Sequence, residues 1–219
     1  MQIDIFDQEH NAILAAPTYA EFAERLRSYN CRRCELCESR THIVVDRGNP
    51  QAKILIISER PGENEDATGR AFVGRAGEML DKILASIGLD SNRDVLIANV
   101  VKCKPAIDRS PTSAEAEACL PYLERQIELT RPRVILLLGA VALKWIDPNR
   151  GDFTMEEEAG RFFTLRRFSG VQFMVLYHPA FLLRDPRKKK VMWEHMKSLR
   201  EYLHGLRGES NLVPALDAE

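Results

Sequence analysis

Five cysteines are the clearest candidate metal ligands in this chain. Cys31 and Cys34 form a close pair, whereas Cys103 and Cys119 lie far along the chain with fifteen residues between them. Thiolates placed in this way can converge on one centre. Because a structural zinc ribbon normally has a second close pair, the pattern favours an iron–sulfur cluster over zinc. Cys37 leaves the ligand set open, since three cysteines at this spacing also occur in bacterial ferredoxins. Free, buried thiols are the alternative interpretation.

The stretch from Ser58 to Gly77 is the second candidate site. Its sequence, SERPGENEDATGRAFVGRAG, concentrates four acidic residues and four glycines in one connector. It follows an apolar run at 53–57 that predicts a buried strand, and it precedes a helical pattern that starts at residue 78. Open α/β sheets place their binding sites at the carboxyl ends of strands. We therefore interpret the stretch as a functional loop, with an acidic solvated turn as the alternative.

Two more polar side chains follow predicted strands. Asn99 lies near the end of an apolar run at 95–101, and His178 comes directly after one at 171–177. Because the carboxyl ends of parallel strands share one edge of the sheet, we expect Glu59, Asn99 and His178 to meet in one crevice. An amide can read the edge of a base, and Phe72 offers a face for stacking. Together these residues predict a pocket for a nucleobase extruded from a nucleic acid.

The charge of the chain limits how it can bind a nucleic acid. With 31 basic and 32 acidic residues the net charge is −1, so any such site must be a local basic patch. The run RDPRKKK at 184–190 would place positive charge beside the predicted crevice, with a solvated helix end as the alternative. The chain has no run of about eighteen apolar residues and starts MQIDIFDQEH, without a signal pattern. We expect a cytoplasmic protein with no membrane segment.

Apolar runs alternate with helical patterns along the chain. Runs at 53–57, 95–101, 133–138 and 171–177 predict core strands, and helices are predicted at 18–29, 78–88, 112–130, 139–145 and 188–206. This order predicts an α/β fold, a three-layer α/β/α sandwich with a central, mainly parallel four-stranded sheet. A weaker pattern between residues 147 and 170 predicts an edge hairpin. We expect one domain, 1–206, and a disordered tail at 207–219.

The combination of motifs resembles the uracil-DNA glycosylase superfamily, and within it the iron–sulfur-containing family 4 enzymes of bacteria and archaea. The resemblance covers roughly residues 30–203 and is carried by GENEDATGRAFVGRAG at 62–77, ANVVKC at 98–103, LGA at 138–140 and HPAFLLR at 178–184. It implies a DNA repair enzyme that flips uracil out of DNA and hydrolyses its N-glycosidic bond, leaving an abasic site. We also expect a monomer that binds uracil-containing DNA.

By this resemblance, the cofactor is a 4Fe–4S cluster. Its ligands would be Cys31, Cys34, Cys103 and Cys119, and Cys37 falls at a variable position. We expect the cluster to be structural, because the polar strand ends carry the chemistry. An iron–sulfur electron carrier is disfavoured, since it would leave the acid, the amide and the imidazole unexplained.

The resemblance also implies catalytic roles for residues of the predicted crevice. Phe72 would stack on uracil, Asn99 would read its Watson–Crick edge, and His178 would stabilise charge on the departing base. Glu59 would be the acid of the first motif, and Glu65 a loop acid that shapes the pocket and is important for activity.

Arg60, Gly62 and Leu182 complete the predicted substrate site. Leu182 matches the position whose apolar side chain enters the gap left by the flipped nucleotide, with simple core packing as the alternative. Arg60 departs from the family pattern, which usually begins Gly-Glu-Ala-Pro-Gly or Gly-Glu-Gly-Pro-Gly, whereas 58–62 is Ser-Glu-Arg-Pro-Gly. We expect Arg60 to pair with one of the four acids of the loop (Glu59, Glu63, Glu65 and Asp66) or with a DNA phosphate, and either pairing leaves the pocket open. If it fills the base site instead, the alternative is a non-catalytic or altered-specificity DNA-binding member of the superfamily.

Overall fold

The computed structural model describes residues 5–207, with side chains described for 8–206. The strands are β1 (Arg47–Gly48), β2 (Ile54–Ser58), β3 (Val95–Asn99), β4 (Val134–Leu138), β5 (Phe162–Thr164) and β6 (Gln172–Leu176). The α-helices of this range are α1 (Ile5–Leu14), α2 (Tyr19–Ser28), α3 (Glu63–Thr68), α4 (Arg75–Ala85), α5 (Ser113–Thr130), α6 (Ala140–Ile146), α7 (Met155–Glu158), α8 (Pro179–Arg184) and α9 (Lys189–Arg207). The strands form one sheet in the order β1-β3-β2-β4-β6-β5.

The four central strands are parallel, and they are the four strands predicted from the sequence. β2 pairs with β3 and β4, and β4 pairs with β6. Every residue of β2, β3 and β4 is buried, as expected for strands that helices cover on both faces. The predicted α/β fold is therefore confirmed.

The sheet has six strands within the described range, so the predicted count of four is too low. β5 pairs antiparallel with β6 in the segment predicted as an edge hairpin. β1 pairs antiparallel with β3 and lies outside the predicted strands. A strand of two residues has no periodicity to detect. Its position is fixed by tertiary contacts, because the buried Arg47 guanidinium forms an ion pair with Asp81.

Helices cover both faces of the sheet and form two cores. On one face, the buried side chains include Ile13, Phe22, Leu123 and Leu143 from α1, α2, α5 and α6. On the other face, they include Leu80, Leu182 and Met196 from α4, α8 and α9. The sheet between two helical layers is the predicted three-layer arrangement.

The connector after β2 is more helical than predicted. It contains α3, and α4 begins at Arg75, three residues before the predicted start. Extended N-cap glycines, Gly62 and Gly74, begin the two helices, and Gly69 ends α3 in the left-handed conformation with φ of 71°. The connector thereby turns back twice and stays at the carboxyl edge of the sheet.

Two sequence predictions concern the ends of the chain and the membrane. Residues 208–219 of the predicted tail lie outside the described residues. In the range 5–207, no helix is both long and apolar enough to cross a membrane.

Candidate active site

A cavity of about 690 Å³ lies at the carboxyl edge of the parallel strands. Its wall includes Glu59 after β2, Asn99 at the end of β3, Gly139 after β4 and His178 after β6. The volume falls within the range of roughly 300–1,000 Å³ that is typical of small-molecule sites. The structure thus brings the acid, the amide and the imidazole together, as the strand ends predict.

Asn99 presents an unpaired acceptor in this wall. Its side chain is 1% exposed, and its Oδ1 has no hydrogen-bond partner in the described part of the chain. The backbone of Asn99 is held in place, because the buried ammonium of Lys102 donates a hydrogen bond to the Asn99 carbonyl oxygen at 2.7 Å. Leaving a buried acceptor unpaired costs about 1–3 kcal/mol. Oδ1 is therefore poised to accept a donor from a ligand.

His178 is held at both ring nitrogens. Its Nδ1 accepts a hydrogen bond from the backbone N–H of Ala180 at 3.1 Å, which caps α8. Its Nε2 lies 2.9 Å from Ser58 Oγ. Burial, followed by the charges of Arg184 and Arg60, lowers the pKa of His178 to about 4. The imidazole is therefore neutral at pH 7. Because Nδ1 accepts, the ring proton is on Nε2.

Phe72 has a strained backbone conformation beside this imidazole. Its φ of 54° lies in a region that residues other than glycine rarely adopt. The ring is 5% exposed, and its centroid lies 5.8 Å from that of His178. A Cβ atom at Gly77, in the first turn of α4, would lie only 1.8 Å from the Phe72 carbonyl oxygen, so only glycine fits at this position. Strain of this kind is concentrated at functional sites.

Glu65 links two parts of the connector after β2 by hydrogen bonds. Its carboxylate accepts backbone hydrogen bonds from Gly62 at 3.1 Å and from Val73 and Gly74 at 2.8 Å each. Glu65 and Gly62 both line the cavity. Because three backbone donors occupy its oxygens, Glu65 holds the residues on both sides of α3 in place next to the cavity.

Arg60 lies in the cavity wall and is paired at the rim. Its guanidinium forms an ion pair with Asp108 and donates to the Pro61 carbonyl at 3.1 Å, and its Nε lies 4.0 Å from Glu59 Oε1. The expected pairing with a carboxylate is present. Its closest partner, however, is 48 residues along the chain rather than in the connector after β2.

Leu182, the predicted wedge residue, lies in the core of the free protein. The side chain is 1% exposed and packs in the core on the α4, α8 and α9 face of the sheet. On the same short helix, Phe181 lines the cavity. Leu182 would have to leave the core to enter DNA, so its wedge role stays a prediction, and core packing describes the free protein.

The sequence analysis missed the roles of three polar residues near the site: Ser58, Lys102 and Asp108. Ser58 contacts His178, Lys102 supports Asn99, and Asp108 pairs with Arg60. Only Ser58 had a sequence signal, because it directly follows the apolar run at 53–57; the structure pairs it with Asn99 in the β2–β3 register.

The four predicted cluster ligands surround a second, small cavity. Cys31, Cys34, Cys103 and Cys119 line a space of about 20 Å³, and Cys37 is outside this lining. Burial and the neighbouring Cys119 raise the pKa of the Cys103 thiol. Burial also raises the pKa of Cys119 to about 11. These thiols need a bound cation to be thiolates at pH 7.

The four cysteines supply only thiol donors to this cavity. Among residues 8–206, no three His, Cys, Asp or Glu side chains are close enough together to hold a single metal ion. A four-iron cluster binds each thiolate at a different iron, so its ligands lie further apart than those of one zinc ion. Four thiols around one buried space are a donor set that both a zinc ion and an iron–sulfur cluster accept.

Comparison with known proteins identifies the family of the chain. A sequence model of the Uracil DNA glycosylase superfamily matches residues 45–200. The type-4 uracil-DNA glycosylase of Archaeoglobus fulgidus is 39% identical over 78% of this chain and 87% of that protein. Those of Sulfurisphaera tokodaii and Thermotoga maritima are 38% and 36% identical, over 78% and 83% of this chain and 80% and 92% of theirs. The chain therefore belongs to the uracil-DNA glycosylase superfamily, as its motifs predict, and resembles the type-4 enzymes within it.

Proposed function

We propose that the protein excises uracil from DNA by hydrolysing the N-glycosidic bond, which leaves an abasic site. The observation that carries this proposal is the buried, unpaired Oδ1 of Asn99 in the cavity wall. Uracil has an N3–H donor between two carbonyls, so it can donate to Oδ1 and accept from the amide nitrogen of the same side chain. Cytosine has an acceptor at N3, which Oδ1 would repel.

His178 is proposed to stabilise the departing base. As the bond breaks, negative charge develops on the base and positive charge on the sugar. The neutral imidazole carries its proton on Nε2 and can donate it in a hydrogen bond to a base carbonyl. Phe72, with its ring near His178, would stack on the base.

Glu59 is proposed to provide negative charge near the sugar and to orient the attacking water. Its carboxylate lines the cavity and its side chain is 25% exposed, so solvent can reach it. Arg60 cannot take this role, because a guanidinium has no acceptor and remains charged. Glu65, whose oxygens bind three backbone donors, is proposed to shape the pocket with Gly62.

The DNA backbone is proposed to bind through a local basic patch. Arg184 lines the cavity, and Lys189 and Lys190 are exposed at the start of α9. Arg187 is partly neutralised by Asp185 at 2.8 Å. Phosphate contacts of this kind explain how a chain with a net charge of −1 could bind DNA.

We also propose that Cys31, Cys34, Cys103 and Cys119 hold a 4Fe–4S cluster. When bound, the cluster would cross-link the segment before β1, the connector after β3 and α5. Cys103 lies four residues after Asn99, so anchoring this connector would also anchor the base-reading end of β3. The cluster would therefore support the pocket and take no part in bond cleavage.

Single-turnover release of uracil from an oligonucleotide tests the function. We expect free uracil and an abasic site from the parent protein, and release slower by about a hundredfold or more from His178→Ala. His204→Ala, which changes an exposed histidine outside the cavity lining, is the matched control and should equal the parent. Binding of uracil-containing DNA without release would favour the non-catalytic alternative, and a near-parental rate in His178→Ala would contradict the proposed pocket.

The proposal includes a cytoplasmic monomer with one domain, 1–206. Light scattering of the purified protein, with and without uracil-containing DNA, tests the monomer.

A further inference from the structure

Ser58 contacts His178 from behind the cavity. Its side chain is fully buried, at 0% exposure, and it is not among the residues that line the cavity. Ser58 Oγ lies 2.9 Å from His178 Nε2. The Nε2 edge of the imidazole is therefore directed at Ser58, a residue outside the cavity lining.

The direction of this hydrogen bond follows from the other ring nitrogen. His178 Nδ1 accepts from the backbone N–H of Ala180, so it carries no proton. A neutral imidazole has one N–H, which must then be on Nε2. Ser58 Oγ is the acceptor, and neither nitrogen of His178 is free to bind a ligand in this conformation.

We propose that Ser58 is a positioning residue that holds His178 in a resting position, and that an incoming base must displace Ser58 from Nε2–H. This inference rests on the proposed function. The bond to Ser58 stabilises the free protein, and the same proton is needed for the departing base. His178 must give up its hydrogen bond to Ser58 before it can donate to the base. Excision should therefore be slower in the parent than in a protein without the Ser58 hydroxyl. A net hydrogen bond of this kind corresponds to a change of about two- to tenfold.

Ser58→Ala tests the inference, because it removes the hydroxyl and keeps Cβ in the buried site. Single-turnover uracil release, measured over a range of protein concentrations, should give an apparent second-order rate constant about two- to tenfold above the parent. Ser91→Ala, at another buried serine outside the cavity lining, is the matched control and should have no effect.

A double substitution separates this role from a general structural effect. If Ser58 acts through His178, adding Ser58→Ala to His178→Ala should change nothing. Equal or slower release by Ser58→Ala alone would overturn the inference, and so would the same acceleration in the His178→Ala background.

Nitrogen NMR of the parent protein provides a test that needs neither variant nor activity. Without DNA, His178 should show the neutral Nε2–H form, and its Nε2 resonance should shift when an oligonucleotide with a non-hydrolysable uracil nucleotide is added. An unchanged resonance in a complex that does form would overturn the displacement. A parent that shows the Nε2–H form but releases no uracil would instead contradict the proposed function.

Discussion

Replacing Asn99 with alanine tests the proposed base pocket most directly, because it removes both hydrogen-bonding groups of one side chain. In the free protein, Oδ1 is buried and unpaired. The cost of this unpaired acceptor, about 1–3 kcal/mol, would be recovered when uracil donates its N3–H. The loss of one preorganised partner in an active site typically slows the reaction about 10²–10³-fold, or roughly 3–4 kcal/mol. We expect Asn99→Ala to reduce single-turnover uracil release by at least about a hundredfold.

The same substitution should not weaken the fold. Alanine removes an unsatisfied polar group from a 1% exposed position that borders the cavity, so the free energy of unfolding should be equal or higher. Asn99→Asp keeps the shape but places a carboxylate there, which loses the donor that a uracil carbonyl requires. It should be as slow on uracil and should shift preference towards cytosine, whose amino group can donate to the carboxylate.

The assay pairs two substrates with the two proteins. Oligonucleotides that contain uracil or 3-methyluracil are compared for the parent and for Asn99→Ala, with thermal unfolding measured in parallel. The parent should discriminate strongly against the methylated base, and Asn99→Ala should lose this discrimination. A variant within about tenfold of the parent on uracil, or with unchanged discrimination, would refute the proposed reading of N3–H by Oδ1.

Three further predictions concern the rim, the cysteines and the connector before α5. Arg60→Gly should change uracil release by less than about fivefold, because its partly exposed ion pair holds it at the wall and contributes at most about 1 kcal/mol; an inert parent beside a fast variant would show that Arg60 blocks the base site. Cys119→Ala should lose iron and the broad visible absorption of a cluster, whereas Cys37→Ala should keep both, and the reverse pattern would contradict the ligand set. Glu115→Gln should lower the free energy of unfolding by about 1–2 kcal/mol at pH 7, since Glu115 binds the partly exposed Arg109 at 2.7 Å. The Arg109 hydrogen bond lowers the pKa of Glu115 from 4.5 to about 2, so this difference should shrink as the pH falls through that interval; a constant difference in urea unfolding would contradict the ion pair.

The sequence determined the elements whose signals are local. Continuous apolar runs specified the four parallel strands, because a strand buried on both faces has apolar residues at every position. The helix predicted at 112–130 is α5, and its start carries a local signal: Thr112 and Glu115 have capping-box spacing, and the structure contains both hydrogen bonds of that box. Asn99 and His178 were predicted to share a crevice only because the carboxyl ends of parallel strands lie on the same edge. These predictions depend on local sequence patterns and on a general rule of sheet topology, so they need no knowledge of tertiary contacts.

The tertiary structure alone decided which atoms meet. Arg60 pairs with Asp108 across 48 residues, and no local pattern links them. α8 has six residues, too few for a clear apolar face, so packing rather than sequence turned Leu182 into the core. The contact between Ser58 and His178 joins residues 120 positions apart and depends on how β2 and β6 flank β4. Such contacts depend on the register of the strands and on the positions of the helices on the sheet. Both are fixed only when the two hydrophobic cores pack.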